Sequence, residues 1–301
     1  MGQAYTAGST SAREAKLATW VEIATAAGFE DPFEISENLV FTIVGCLKAA
    51  GYRSAESYMH LAKQHSVASG RVITDSTMIS CARAARAAKR GRGPAKQASP
   101  IPLGKLAELS RSPAPLVAGG PVWPHRAVLT ASWWLLREIE ASNIRVGHVR
   151  LDMSSGTLVA RILLPVSKTD ISALGAWRAH QCMCGKGPKH PACPACIVKD
   201  QIEWLEADAR MHLSEFDAEA FARLPLFPTL KGEVVSKAAF IGTLEALAVE
   251  LGLPVVLPSG VRAFTGHSPR CTGAIHMASA WLELLRIQLF GRWGAAPSSS
   301  I

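Results

Sequence analysis

Between residues 91 and 122 the sequence reads GRGPAKQASPIPLGKLAELSRSPAPLVAGGPV, and this stretch divides the chain into parts with different periodicity. So dense a run of Gly, Pro, Ser and Ala interrupts regular structure repeatedly, leaving one short helical stretch near Leu103–Leu109. It reads as an interdomain linker over 93–122. Ahead of it, apolar residues recur only at helical spacing; behind it, helical runs alternate with strand-like ones. A chain of 301 residues can build two cores, and 49% hydrophobic against 19% charged residues supplies them. The expectation is a mainly α protein with a small β-sheet, α+β in class. An all-helical domain covers 11–92 and a mixed domain covers 123–294, while 295–301 is an unstructured tail.

The first part reads as four helices. Ser11 and Glu14 have capping-box spacing ahead of Leu17, Trp20, Val21 and Ala24, and Gly28 stops that run. Asp31 with Pro32 opens the second, which carries Ile35, Leu39, Ile43 and Leu47 as far as Gly51. Ser54 opens a third through Tyr58 and Leu61, and Thr74 or Asp75 opens the fourth. That fourth helix places Arg83, Arg86 and Arg90 at i, i+3 and i+7, with Lys89 beside them and Arg92 and Lys96 following. Between residues 71 and 96 there are seven basic residues and one acid. Alanines between the arginines keep the helix slim enough to approach a DNA backbone, so phosphate contacts by Arg83, Arg86, Lys89, Arg90 and Arg92 are expected. The balance of the whole chain, +8 with a pI near 9.3, agrees with a polyanionic partner.

In the second part a helix is expected from Pro124 through Val128, Trp133, Leu135 and Leu136 to Glu140, carrying Arg137 and Glu140 three apart. HVRLDM and LVARILLPVSKTD alternate around a Ser-Ser-Gly turn and predict a β-hairpin ending near Lys168. Four of the seven cysteines then fall within fifteen residues, Cys182-x-Cys184 and Cys193-x-x-Cys196, with Gly185, Gly187 and Pro188 between the pairs. No run of eighteen apolar residues occurs and the N-terminus lacks a signal-peptide pattern, so an intracellular protein without a membrane partner is expected. In a reducing compartment such a cluster points to metal before disulfides. Four thiolates complete a tetrahedral zinc ion and leave no open position, which makes a structural Zn2+ in a knuckle at 180–197. His180 and His190 are alternative ligands. A helix capped by Ser236 and ended by Gly252 follows, and Val261–Phe264 leads into TGHSPRCTGA. There His267 and Arg270, three apart, can converge on one phosphate.

HSPRCTGA followed by ELLRIQLFGRWG resembles the second sequence box of the tyrosine recombinase, or phage integrase, family, and Leu-Leu-Arg-Glu-Ile-Glu resembles its first box. The resemblance extends in organisation over residues 11–294. It implies a helical core-binding domain ahead of a mixed catalytic domain, and DNA breaking and rejoining through a phosphotyrosyl link. Carried over residue by residue, Arg137, His267, Arg270 and Trp293 hold the scissile phosphate and stabilise its transition state. Glu140 orients those cations, and Lys168 is the general acid, with Lys186 and Lys189 as alternatives. No metal takes part in that chemistry. Cys271 and Trp281 depart from the family pattern, and Trp281 implies local repacking.

The family also places its tyrosine about nine residues beyond Trp293, whereas GAAPSSSI follows here and the tyrosines are Tyr5, Tyr52 and Tyr58. The resemblance therefore implies an integrase-like protein of a mobile element, bound to double-stranded DNA with self-association on it, and without its nucleophile as given. Two alternatives stand beside this recombinase-like protein that is inactive as given: a non-catalytic DNA-binding protein derived from a mobile element, and a sequence whose last segment is misassigned after Gly294.

Overall fold

The computed structural model describes residues 7–91, 98–109, 112–154, 156–164, 175–212 and 216–293. They form two compact units, Met1–Lys96 and Gln97–Ile301.

The first unit is four helices: α1 (Ala7–Ala26), α2 (Glu37–Ala49), α3 (Ala55–Ala68) and α4 (Asp75–Lys89). Trp20, Leu39, Ile43 and Leu47 fill its centre, all essentially inaccessible to water. Two helix starts differ from expectation. Helix α1 begins at Ala7, which leaves Ser11 and Glu14 inside it. Helix α2 begins after Ser36, whose hydroxyl accepts from the Leu39 N–H, and not at Asp31–Pro32. There Asp31 Oδ1 accepts from the Phe33 N–H at 2.9 Å and the Pro32 carbonyl accepts from Trp20 Nε1 at 2.8 Å, so this segment is a turn pinned to α1. Thr74 caps α4 as read from the sequence, its hydroxyl accepting from the Thr77 N–H. Arg83, Arg86, Lys89 and Arg90 are all exposed, and Lys89 pairs with Glu56 at 2.6 Å. Arg92 lies outside the described residues.

The second unit begins inside the stretch read as a linker. Helix α5 (Leu103–Glu108) buries Ile101, Leu103, Leu106 and Ala107 in the second core, so from residue 98 the stretch belongs to that unit. Next come α6 (Pro124–Trp133), α7 (Glu138–Ser142) and an antiparallel sheet of β1 (Val149–Ser154), β2 (Thr157–Leu164) and β3 (Ala176–Gln181), in that spatial order. The hairpin is as expected, but AWRAHQ adds an unforeseen third strand, pairing Arg178 with Ile162 and His180 with Ala160. Helices α8 (Pro194–His212), α9 (Ala218–Arg223), α10 (Lys237–Glu250), α11 (Ser268–Ser279) and α12 (Leu284–Gly291) complete the unit. Ser236 caps α10, accepting from the Ala239 N–H at 3.1 Å. None of the described helices is long and apolar enough to cross a membrane.

Helix α11 lies directly on α6 because Gly273 has no side chain. A Cβ there would overlap the Ser132 carbonyl oxygen and meet Leu135 Cδ2 at 2.5 Å. Alanine favours a helix by about 1 kcal/mol over glycine. Overpacking against backbone costs roughly 1–3 kcal/mol or more. The clash wins, and Gly273→Ala is expected to lower the thermal midpoint of the second unit by several degrees; an unchanged or raised midpoint in calorimetry would contradict this packing.

Candidate phosphate-binding site

The helix expected from Pro124 to Glu140 is broken. Helix α6 stops at Trp133, Leu135 takes a left-handed conformation (φ 50), and α7 starts after Arg137. The Leu135 N–H donates to the Ser132 carbonyl and the Leu136 N–H to the Ala131 carbonyl, which satisfies the helix end without a glycine. The break turns the carbonyls of Trp134 and Leu135 out of the helical ladder, and arginines from elsewhere in the chain meet them. Arg270 Nε donates to the Leu135 carbonyl at 2.7 Å, and Arg178 Nη1 donates to the Trp134 carbonyl. Trp134 returns the contact, its Nε1 donating to the Arg178 carbonyl at 3.1 Å.

Glu140 ties the break to α11. Its Oε2 accepts from the backbone N–H of Arg137 and from Arg270 Nη2, both at 2.7 Å. The Arg270 and Glu140 side chains are 8% and 11% exposed, so this is a buried charge pair with a fixed geometry. Desolvation, partly offset by Glu140, pulls the Arg270 guanidinium below its ordinary value. Arg137 is half-buried, and its Nε has no hydrogen-bond partner among the described residues.

His267 sits at the N-cap of α11. Thr265 and Ser268 fix it there: Ser268 Oγ accepts from the Thr265 N–H and Thr265 Oγ1 from the His267 N–H. Desolvation, then the neighbouring Arg137 charge, lowers the His267 imidazole from its usual value, so it is neutral at pH 7 and can accept or donate. Just before it, the Gly266 carbonyl accepts from the Glu138 N–H at 3.0 Å, and a Cβ at Gly266 would overlap the Glu138 carboxylate. The glycine of TGHSPR thus lets α7 and the start of α11 meet. Lys237 of α10 approaches buried Glu138 at 3.4 Å.

Arg137, Glu140, His267 and Arg270 therefore stand close together. Trp293, beyond α12, packs with Leu135, Met277, Ile287 and Phe290 under the same break. Gly291 gives it room, since a Cβ there would lie 2.9 Å from the indole. Lys168 lies outside the described residues. Of its alternatives, Lys189 pairs with Asp200. Trp281 was expected to force repacking and does not: it occupies the left-handed turn between α11 and α12 and is 95% exposed.

Sequence reasoning missed Arg178. It is 5% exposed, lies under Phe290, and carries Nε and Nη2 without partners among the described residues. Desolvation, then Arg270, lowers its guanidinium to about 10, so it remains charged at neutral pH. Only strand register brings it to the cluster, and strand β3 itself was not anticipated.

Beside the site, the Sγ atoms of Cys182, Cys184, Cys193 and Cys196 all lie within 4.8 Å of one another. The closest separations are 3.6 Å for 182–196, 3.6 Å for 182–193 and 3.8 Å for 184–196. A tetrahedral zinc with Zn–S bonds of about 2.3 Å sets its sulfur atoms about 3.8 Å apart, so the donor set fits the ion. Backbone N–H groups point at the sulfurs: Met183 to Cys193, Cys184 to Cys182 and His190 to Cys184, at 3.2–3.4 Å. The two histidines considered as ligands are engaged elsewhere. His180 Nε2 bonds the Trp133 carbonyl and its ring lies among Trp133, Trp134 and Phe290, with burial lowering it to about 4; His190 Nδ1 accepts from the Ala192 N–H.

No protein-family model and no curated protein sequence matches the chain. Its folded shape is similar to solved structures. One is a Tn1549 transposon integrase in complex with transposon right end DNA, at TM-score 0.59 and 11% identity over 97% of this chain and 88% of that one. Another is a lambda integrase dimer bound to a core site, at TM-score 0.54 and 12% identity over 99% and 92%. The fold is that of the tyrosine recombinases. In this fold Arg137 at the α6–α7 break, Arg178 of β3 and Arg270 of α11 are brought together, with Arg178 and Arg270 buried.

Proposed function

We propose that this chain binds double-stranded DNA and holds a phosphodiester at Arg137, His267 and Arg270, with Glu140 orienting the arginines and Trp293 and Lys168 completing the set. The observation that carries the reading is the fixed Arg270–Glu140–Arg137 arrangement opening on a neutral histidine. Two guanidinium forks match phosphate oxygens, and a neutral imidazole can donate to a third or move a proton. The similar integrases were crystallised on DNA, one of them as a dimer, and the same partner and self-association on DNA are assigned to this chain. The first unit acts as the core-binding domain and supplies non-specific phosphate contacts through Arg83, Arg86, Lys89 and Arg90.

The second unit contains no tyrosine, since Tyr5, Tyr52 and Tyr58 all precede residue 97. Arg137, His267 and Arg270 grip the phosphate, and a phosphotyrosyl step would need a tyrosine from outside residues 97–301. Zinc at Cys182, Cys184, Cys193 and Cys196 is structural, holding the knuckle against α6 and taking no part in chemistry at phosphate.

Duplex binding is expected to weaken steeply with salt. Each phosphate contact contributes about 0.9 to the slope of log K against log salt. Arg83→Ala/Arg86→Ala/Arg90→Ala is expected to flatten that slope by about three units for every duplex sequence tried, because the contacts are to the backbone. Binding curves for parent and triple variant that superimpose at all salt concentrations would make α4 a solvated face.

A further inference from the structure

The outer face of the sheet holds a second cationic cluster, distinct from the pocket. Arg150 on β1 stands directly opposite Arg161 on β2, a cross-strand pairing of like charges that disfavours the sheet. Both side chains are nevertheless held in place. The Arg150 guanidinium lies over the Trp177 ring of β3 at 4.8 Å, and Arg161 Nε bonds Asp152 Oδ2 at 2.8 Å. Arg150, Asp152, Arg161 and Trp177 line an open concavity of about 450 Å³. Trp177 is 43% exposed, and the face of its ring is the platform on which Arg150 rests.

Two guanidinium groups on adjacent strands, one positioned by an aromatic face and one by a carboxylate, lose little side-chain freedom on meeting an anion. The single carboxylate leaves the cluster net positive, and the concavity is too open and polar for an apolar ligand. Arg178, His180 and Ile162 point to the opposite face, so the two cationic groups address different phosphates.

We propose that Arg150 and Arg161 form a second phosphodiester-binding site on the outer sheet face, contacting the DNA backbone away from the Arg137–Arg270 pocket. Trp177 positions Arg150, and Asp152 positions Arg161 until phosphate oxygens share its fork. This rests on the reading of the chain as a DNA-binding protein.

The test is fluorescence anisotropy of a labelled duplex across a potassium chloride series, comparing the full chain with Arg150→Gln/Arg161→Gln. The double variant is expected to show a slope shallower by about two units, one per lost contact, with an unchanged melting temperature. Arg150→Lys/Arg161→Lys keeps both charges and is expected to keep the slope while binding more weakly, because the forks are gone. Trp177→Leu frees Arg150 and is expected to weaken binding with little change of slope. Salt slopes of the Gln/Gln variant that overlay the parent, with the parent binding well, overturn this site alone; absence of duplex binding by the parent overturns the DNA reading itself. Calorimetry with inorganic phosphate supplies the other arm. Heat lost in the Gln/Gln variant while its duplex slope is unaltered would mean a site for the free anion, against the proposal.

Discussion

Glu140→Ala is expected to destabilise the second unit by about 3–5 kcal/mol, the usual range when one partner of a buried ion pair is removed and the other is left behind. Arg270 would keep only the Leu135 carbonyl as a described partner, buried at 8% exposure beside the charges of Arg137 and Arg178. The backbone N–H of Arg137 would lose its acceptor as well, so the start of α7 loosens together with the cation pocket. Glu140→Gln separates these effects. Its amide oxygen can still accept from Arg137 N–H or Arg270, but the neutralising charge is lost, so an intermediate loss is expected. Denaturant unfolding of the full chain measures both. A Glu140→Ala variant as stable as the parent would mean that Glu140 does not hold the pocket. A Gln variant equal to Ala would place the whole effect on charge and none on geometry.

The parts of this architecture that could be read from the sequence are those whose cause is local. Gly28, Gly51 and Gly252 each end a helix in a left-handed conformation, and at each the following N–H returns to a carbonyl one turn back. The same hydrogen-bond pattern ends α6 at Leu135 and α11 at Trp281, where no glycine announces it. A left-handed non-glycine residue costs roughly 1–2 kcal/mol. At Leu135 that cost is met by tertiary contacts: Arg178 and Arg270 bind the carbonyls the turn exposes, and Met277 and Ile287 pack on the leucine. Those partners lie over forty residues away in the chain, so apolar periodicity through Trp133, Trp134, Leu135 and Leu136 reads as one unbroken helix. The local HxxR and the four cysteines were legible because each motif brings its own residues together. Arg178 was not, since its place depends on the register of a short strand. The core role of Ile101 and Leu106 was hidden by the glycines and prolines around them.

Zinc removal is the second large effect. The intact chain is expected to carry one zinc per molecule by metal analysis, and its removal by a strong chelator, or by Cys193→Ser/Cys196→Ser, is expected to lower the melting temperature of the second unit markedly. Structural zinc in small peptides is worth on the order of 10 kcal/mol of apparent binding free energy at neutral pH, and where the ligand cage forms only on folding, that energy becomes stability. Here the knuckle is built into the core. Cys193 is fully buried, Ala192 and Ala195 pack with Val198, and the Cys182 N–H extends the sheet by donating to the Leu158 carbonyl at 2.7 Å. Four crowded thiols left without an ion have only one another and a few N–H groups as partners. The consequence should reach the phosphate pocket by a short path: the Ala192 carbonyl accepts from Trp133 Nε1 at 2.8 Å, and Trp133 is the last residue of α6 before the break that positions Arg137. Loss of zinc should therefore weaken duplex binding even at temperatures where the chain stays folded, whereas Met183→Ala, an exposed uncharged change on the same knuckle, should alter neither property. A zinc content near zero in protein purified without chelator would remove the site. Metal present but with no effect of its removal on melting would show that the cysteines bind it without supporting α6.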